Sequence, residues 1–382
     1  MIRMIEMMRK QKPPRPAGVG KRGLMFRSSI DKMAAYMPGE QPRAGERLIK
    51  LNTNENPYPP SPKVRRAVER SARNALRLYP APRGDEFIAE AARRYGVPRD
   101  MILAGNGSDE LLAMVFRAAL GRGDKVAYPV PTYSLYDTLA EVQEARVVRI
   151  AFGNDFTLPL KQLAQARARL TIVCNPNSPS GSFTAIAKLG ALARALEGRL
   201  LVVDEAYVDF AKDNALRLLR RHPNLVIFRT LSKSYSLAGM RLGLCFAHPP
   251  VIDALLKVKD SYNLSRISLA AGAAALGDGA WMRRNMKRVK ATRANATLRL
   301  RKLGFAVAPS EANFVLARIA GRDLGPVVRG LRQAGILVRH FATPMLRDAL
   351  RISIGTPAEM RALFRALAPL IAAPPAGARR LR

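Results

Sequence analysis

LVIFRTLSKSYSLAGMRLGLCFA, residues 225–247, decides how the rest of this chain is read. Two apolar runs, 225–230 and 241–247, bracket a loop of small and hydroxyl residues that holds one lysine, Lys233, and the second run opens on Arg241. The first run is apolar without alternation, as expected of a strand covered on both faces, and such strands belong to mainly parallel sheets layered between helices. Upstream, MILAG (101–105), KVAYPV (125–130), RVVRI (146–150), LTIVC (170–174) and LLVVD (200–204) repeat the theme, separated by helix-length segments. Seven runs alternating with helices predict an α/β fold: a large three-layer α/β/α domain on a mainly parallel, seven-stranded sheet.

The pattern changes after residue 303. FAVAPSEANFVLARI, ILVRHF and LRISIGT read as strands with helical stretches between and after them, which predicts a smaller α+β domain. The expected plan is therefore an N-terminal segment (27–75) contributing to the small domain, a large ligand-binding domain (76–300) and a C-terminal small domain (301–371). Residues 1–26 are basic and rich in Pro and Gly without a secretory apolar segment, and read as a disordered extension, with an organellar presequence as the rival reading. The Ala/Pro/Arg-rich end, 372–382, reads as a frayed tail.

With 64 Lys and Arg against 29 Asp and Glu, the formal charge is 64 − 29 = +35. An excess of this size suits nucleic acid, an anionic membrane surface or acidic substrates. It is spread along the chain, which argues against nucleic acid as the main partner. The densest run, 281–302, sets basic residues at helical spacing beside Met286, Val289 and Leu298, and reads either as a solvated helix face or as a polyanion site. Cys174 and Cys245 both lie in apolar runs, as expected of buried, reduced thiols in a cytoplasmic protein. No stretch reaches the ~18 consecutive apolar residues of a membrane helix, and no metal site is read from the sequence.

In open α/β sheets ligands bind beyond the carboxyl ends of the strands, so the residues just after each run carry the chemistry. GNGSDELL (105–112) follows the first run. Its glycines permit a tight turn, and Gly107, Ser108 and Asp109 form either a phosphate cup at a helix start or an ordinary capped helix. CNPNSPSG (174–181) ends another strand, and Asn175 there is either a ligand or the bridge of a turn. In VVDEAYVDF (202–210), Asp204 and Glu205 follow apolar residues, where a carboxylate is costly to bury unless paired. A cationic ring nitrogen is one such partner for Asp204, and Tyr207 is close enough to reach the same ligand. A buried lysine with cations nearby has a lowered pKa and forms a Schiff base with an aldehyde. That suits Lys233, with Arg241, Thr230 and Ser232 available to hold a phosphate on that aldehyde.

LNTNENPYPPSP, YPAP, ILAGNGSDE, PTYSLY, CNPNSPSG, VVDEAYVDF, RTLSKSYSLAGMRLG, EANFVL and LRISIGT, in this order from about Ile30 to Pro357, closely resemble the fold-type I pyridoxal-phosphate aminotransferases. Among these they resemble the histidinol-phosphate aminotransferase family. The resemblance implies pyridoxal 5′-phosphate carried on Lys233, Asp204 paired with the pyridinium nitrogen, Asn175 and Tyr207 on the phenolic oxygen, and Tyr133 stacked on the ring. It assigns the phosphate to Gly107, Ser108, Asp109, Thr230, Ser232, Arg241 and, from a second subunit, Tyr79, so that a homodimer shares its active sites. Arg351 would grip the α-carboxylate of glutamate, and Tyr262 and Asn56 would face substrate. Asn56 stands where some members carry a tyrosine that touches substrate phosphate, and Tyr262 reads equally as a packing residue.

The implied reaction is transamination of L-histidinol phosphate with 2-oxoglutarate, giving imidazole-acetol phosphate and L-glutamate, a step of histidine biosynthesis. An aromatic amino-acid aminotransferase on the same scaffold and, further off, a threonine-phosphate decarboxylase are the alternatives.

Overall fold

The computed structural model describes residues 26–73, 76–153, 155–341 and 343–372. The expectations for residues 1–25 and 373–382 lie outside the described residues. Twelve strands form two sheets among these residues. In chain order they are β1 (Ile49–Leu51), β2 (Ile102–Asn106), β3 (Lys125–Val130), β4 (Arg146–Ala151), β5 (Leu170–Cys174), β6 (Leu200–Asp204), β7 (Leu225–Thr230), β8 (Leu242–Phe246), β9 (Ala306–Val307), β10 (Phe314–Arg318), β11 (Ile336–His340) and β12 (Ala349–Ser353).

The large sheet has seven strands in the order β2-β8-β7-β6-β5-β3-β4. All pairings are parallel except those of β8, which runs against both β2 and β7. Every residue of the central strands β5, β7 and β8 is buried, because helices cover both faces and leave no polar side for an alternating pattern. The edge strand β4 has no buried position, and Arg146, Arg149 and Ala151 are exposed. One apolar core, with Phe87, Leu189, Ile227 and Phe246, lies on one face of the sheet; another, with Leu111, Phe116, Tyr136 and Phe228, lies on the other.

The reversed strand matters for the site. Because β8 turns back against β7, Thr230 pairs with Gly243, and the loop between them returns Arg241 to the side of Thr230. Gly243 also touches the 107–108 turn: a Cβ there would stand 2.5 Å from the Gly107 carbonyl carbon, so a side chain would push the two segments apart.

The small sheet runs β1-β11-β12-β10-β9, with β1 parallel to β11 and the remaining pairs antiparallel. Its core gathers Leu51, Val315, Leu331, Ile336, Ile352 and Phe364. The helix Gly279–Lys302 serves both cores: Met282 packs into the large one, and Val289, Ala296 and Leu300 into the small one. Its basic residues do more than face water. Arg288 lies over the Tyr58 ring at 3.5 Å, Arg299 over Phe364 at 4.1 Å, and Arg293 donates to the Ala312 carbonyl at 2.6 Å. Much of this run is thus spent on packing and cation–π contact. Cys174 and Cys245 are buried and free. Among the described residues no helix is long and apolar enough to cross a membrane.

Candidate active site

A cavity of ≈ 540 Å³ opens where Cys174, Asp204 and Thr230 end β5, β6 and β7, and the segments 36–41 and 52–55, with Arg339, Phe341 and Arg351, close it from the other side. Asp204, Tyr207, Ser108, Asp109, Tyr133, Thr230, Ser232, Lys233, Arg241 and Arg351 all line it, so the structure brings together most of the residues singled out from the sequence.

Asp204 is buried at the end of β6. Its Oδ2 accepts from the Tyr136 hydroxyl at 2.7 Å and its Oδ1 from the Ala206 N–H at 3.1 Å. Burial pushes the carboxyl up to about 6, opposed by those two hydrogen bonds. Only the Lys233 ammonium, a minor influence, acts on this carboxylate as a counter-charge, and a cationic ring nitrogen in the cavity would supply a closer one.

Lys233 lies on the same wall, its Nζ donating to the Thr53 carbonyl at 3.1 Å and standing 5.8 Å from the Tyr207 ring centre. Burial lowers its ammonium to about 8, with Arg351 the next cause. The expected influence of Arg241 is present and comes after those two. A neutral amine, the nucleophilic form, is therefore accessible near neutral pH. Tyr207 lines the floor edge-on to Phe314, and its hydroxyl accepts from Asn54 Nδ2 at 3.0 Å. Burial pushes that phenol up to about 12.

The anion end combines three elements. Arg241 stands 3.2 Å from the Asp109 carboxylate, Thr230 donates to Ser232 Oγ at 2.9 Å, and the helix Gly107–Ala119 points its first turn at them. The first N–H groups of a helix have no intrahelical acceptor and carry positive partial charge. Gly107, at φ 77°, holds the turn: a Cβ there would sit 2.5 Å from Arg241 Nη2. Tyr133 donates to Asp109 at 3.2 Å and meets Tyr36 edge-on.

At the opposite end Arg351 donates from Nη1 to Ser178 Oγ at 3.1 Å and from Nη2 to the Asn52 carbonyl at 2.8 Å, while its buried Nε has no acceptor among the described residues. Burial lowers this guanidinium, and Arg339 beside it acts in the same direction. Two arginines with no carboxylate partner among the described residues suit an anionic ligand.

Three expectations need correction. Asn175 does not face the cavity. Its backbone N–H continues the pairing with β6, donating to the Asp204 carbonyl at 2.8 Å, and its amide is used up on Thr184, donating to that carbonyl at 3.1 Å and accepting from that N–H at 2.7 Å. Ser178, farther along the same loop, takes the place on the wall. Asn56 does not face it either: its Nδ2 donates to the carbonyls of Lys233 and Ser234, at 3.0 and 3.2 Å, so it braces the lysine loop from behind. Tyr262 lies outside the cavity, half-exposed and stacked on Tyr79 at 4.5 Å. Tyr79 is 77% exposed and does not line the cavity.

Other residues of the site, among them Arg339 in the wall and Tyr136 buried behind Asp204, escaped the sequence reading. Tyr136 sits three positions beyond Tyr133 in PTYSLY, and Arg339 is a charge inside the ILVRHF run; both were visible as oddities. Tyr36, Asn52 and Asn54 reach the site only through tertiary folding, and their types carry no local signal.

A model of the class I and II aminotransferases matches residues 46–367. The chain belongs to this family. It is 44% identical over 346 residues to histidinol-phosphate aminotransferase 1 of Trichormus variabilis, covering 91% of this chain and 99% of that one. It is 46% identical over 347 residues to the histidinol-phosphate aminotransferase of Citrifermentans bemidjiense, with 91% and 99% covered. Among solved structures, the histidinol-phosphate aminotransferase of Sinorhizobium meliloti in complex with pyridoxal-5′-phosphate superposes with a TM-score of 0.84 at 28% identity, over 92% of this chain and 99% of that one. The aminotransferase fold thus accounts for both sheets and for the cavity between them.

Proposed function

We propose that this aminotransferase carries pyridoxal 5′-phosphate on Lys233 and transfers the amino group of L-histidinol phosphate to 2-oxoglutarate, giving imidazole-acetol phosphate and L-glutamate. The observation that carries the reading is the opposition of the two walls: a buried carboxylate and a near-neutral lysine beside an anion cup on one, and Arg351 with Arg339 on the other. The substrate follows the relatives, named histidinol-phosphate aminotransferases at 44% and 46% identity.

The residues fit the cofactor. Asp204 would pair with the ring nitrogen, Tyr207 would donate to the phenolic oxygen, Tyr133 would cover the ring face, and Gly107, Ser108, Asp109, Thr230, Ser232 and Arg241 would surround the phosphate. When bound, the cofactor supplies an electron sink for the charge left as a proton leaves the substrate's α-carbon. The chain does the rest. Lys233 Nζ removes that proton and redelivers it, Asp204 keeps the ring nitrogen protonated, and Arg351 aligns the amine donor by its anionic group. Histidinol phosphate and glutamate present a phosphate and a carboxylate in overlapping space, and Arg351 with Arg339 can meet either.

Tyr79, Leu76 and Leu78 are exposed on one segment, and Tyr79 stacks on the half-exposed Tyr262. A second copy of the chain would cover this surface, and we assign Tyr79 to the phosphate end of that partner. The two buried free thiols suit a reducing compartment, and we place the enzyme in the cytoplasm.

A half-reaction tests the substrate. Cofactor-loaded protein is mixed separately with L-histidinol phosphate and with L-phenylalanine, and the visible absorbance is followed over a concentration series. Conversion by histidinol phosphate at much lower concentration is expected. Preference for phenylalanine would favour the aromatic aminotransferase, a second reading for which Tyr36, Tyr133 and Phe341 in the wall speak.

A further inference from the structure

The segment Asn52–Asn56 hands one group after another to the site. The Asn52 carbonyl receives Arg351, the Thr53 carbonyl receives Lys233, Asn54 donates to Tyr207, and Asn56 donates to the carbonyls behind Lys233. Asn54 is the residue whose own groups are all committed. It is 1% exposed. Its N–H donates to Ser353 Oγ at 2.8 Å, its carbonyl accepts from Asn313 Nδ2 at 2.9 Å, and its Oδ1 accepts from Ser353 Oγ at 2.9 Å. Its φ of 57° is left-handed, a conformation that asparagine tolerates better than most residues. With Oδ1 held by Ser353 at the end of β12, the amide can aim only its Nδ2 at Tyr207, at 3.0 Å.

We propose that Asn54 is a positioning residue for the transamination: by donating to the Tyr207 hydroxyl it directs that hydroxyl's proton toward the phenolic oxygen of the bound cofactor and strengthens it as a donor. The proposal rests on the reading that Tyr207 faces that oxygen. Accepting a hydrogen bond polarises a hydroxyl and makes it a better donor in turn. A donor on the phenolic oxygen competes with the proton which the linked Lys233 nitrogen shares with that oxygen. Asn54 therefore makes that proton easier to lose. Tyr207 is also faced by Arg351 from β12, Asp204 from β6, Cys174 from β5, Lys233 from the loop after β7, and Tyr133; a change at Asn54 leaves all of these groups in place.

The experiment is a pH titration of the visible absorbance of cofactor-loaded protein, which reports that proton. Asn54→Gly keeps the left-handed backbone and both backbone hydrogen bonds while removing the donor. Its titration midpoint is expected to rise by about half a pH unit, the share of one neutral hydrogen bond passed on through Tyr207. Tyr207→Phe should raise the midpoint further, and adding Asn54→Gly to it should then change nothing. A midpoint unmoved by Asn54→Gly but moved by Tyr207→Phe overturns the role of Asn54 alone. A midpoint unmoved by Tyr207→Phe overturns the assignment of Tyr207 beneath it. If the glycine variant fails to fold, Ser353→Ala, which frees the amide from its anchor, decides: a smaller rise supports the proposal and an unchanged midpoint overturns it.

Discussion

The wall of the cavity supplied by the large sheet and the wall supplied by the small sheet with segment 36–56 are assembled in different ways. On the first, Asp204, Tyr207, Thr230, Ser232, Lys233 and Arg241 come from one continuous stretch, 204–241; all but Arg241 sit at or just beyond the ends of the buried parallel strands β6 and β7, and Arg241 stands just before the reversed β8. On the second, the contacts are distant in sequence: Arg351 meets Asn52, and Asn54 meets Ser353, each across 299 positions. The first wall is rigid because its strands are packed on both faces, and it offers the groups to which we assign the cofactor. The second offers cations and carbonyls that can meet reactants of different shape. On the proposed roles, the comparison predicts that chemistry and selectivity are carried by separable parts of this chain.

Substitutions should separate the two walls. Lys233→Ala is expected to lower turnover by at least roughly 10⁴-fold, as removal of a nucleophile does, with circular dichroism and melting close to wild type. Retention of full transamination by this variant would remove the lysine from the mechanism. Arg351→Ala should cost about 10²-fold in kcat/KM, the scale of a lost charged hydrogen-bond pair, while the cofactor still binds in equilibrium dialysis. Equal loss of cofactor and substrate binding would show that the walls are not separable.

The pH dependence tests the first wall without mutation. The Lys233 ammonium is lowered from 10.5 to about 8, so the neutral amine grows about tenfold per pH unit up to about 8 and then levels. The rate at which cofactor-stripped protein captures added pyridoxal phosphate should follow that curve; a rise continuing to pH 10 would place the lysine in water. The smallest effect belongs to Asn175→Ala. It should cost about 1–3 kcal/mol of stability by leaving the Thr184 N–H and carbonyl unpartnered, read by denaturant unfolding, with cofactor affinity unchanged. Weakened cofactor binding at constant stability would return Asn175 to the site.

The large sheet was legible because its buried strands are continuous apolar runs, and the ends of β6 and β7 with the loop to Arg241 point to one wall of the cavity directly. The same rule misled at Asn175, where sheet pairing continues one residue past β5 and turns the side chain into the loop. It was also silent on the second wall. Tyr36, Asn52 and Asn54 stand in irregular segments with no periodicity to mark them, and their meaning comes from partners that only the folded chain supplies. Tyr262 and Tyr79 take their roles from resemblance alone, and both stand outside the cavity.

The reversal of β8 against β7 also bears on how the site is born. Thr230 and Gly243 pair across the eleven-residue loop 231–241, so the lysine loop closes at a modest cost in chain entropy, while the Asp109 side of the anion end joins it from 132 positions away. The contacts of Asn54 with Asn313 and Ser353, and of Asn52 with Arg351, close loops of about three-quarters of the chain and belong to the slow, non-local part of folding. A nascent chain that has passed residue 247 therefore holds all the strands of its large sheet while Arg351 is still to be made, and amide exchange during refolding should protect β7 and β8 before β12.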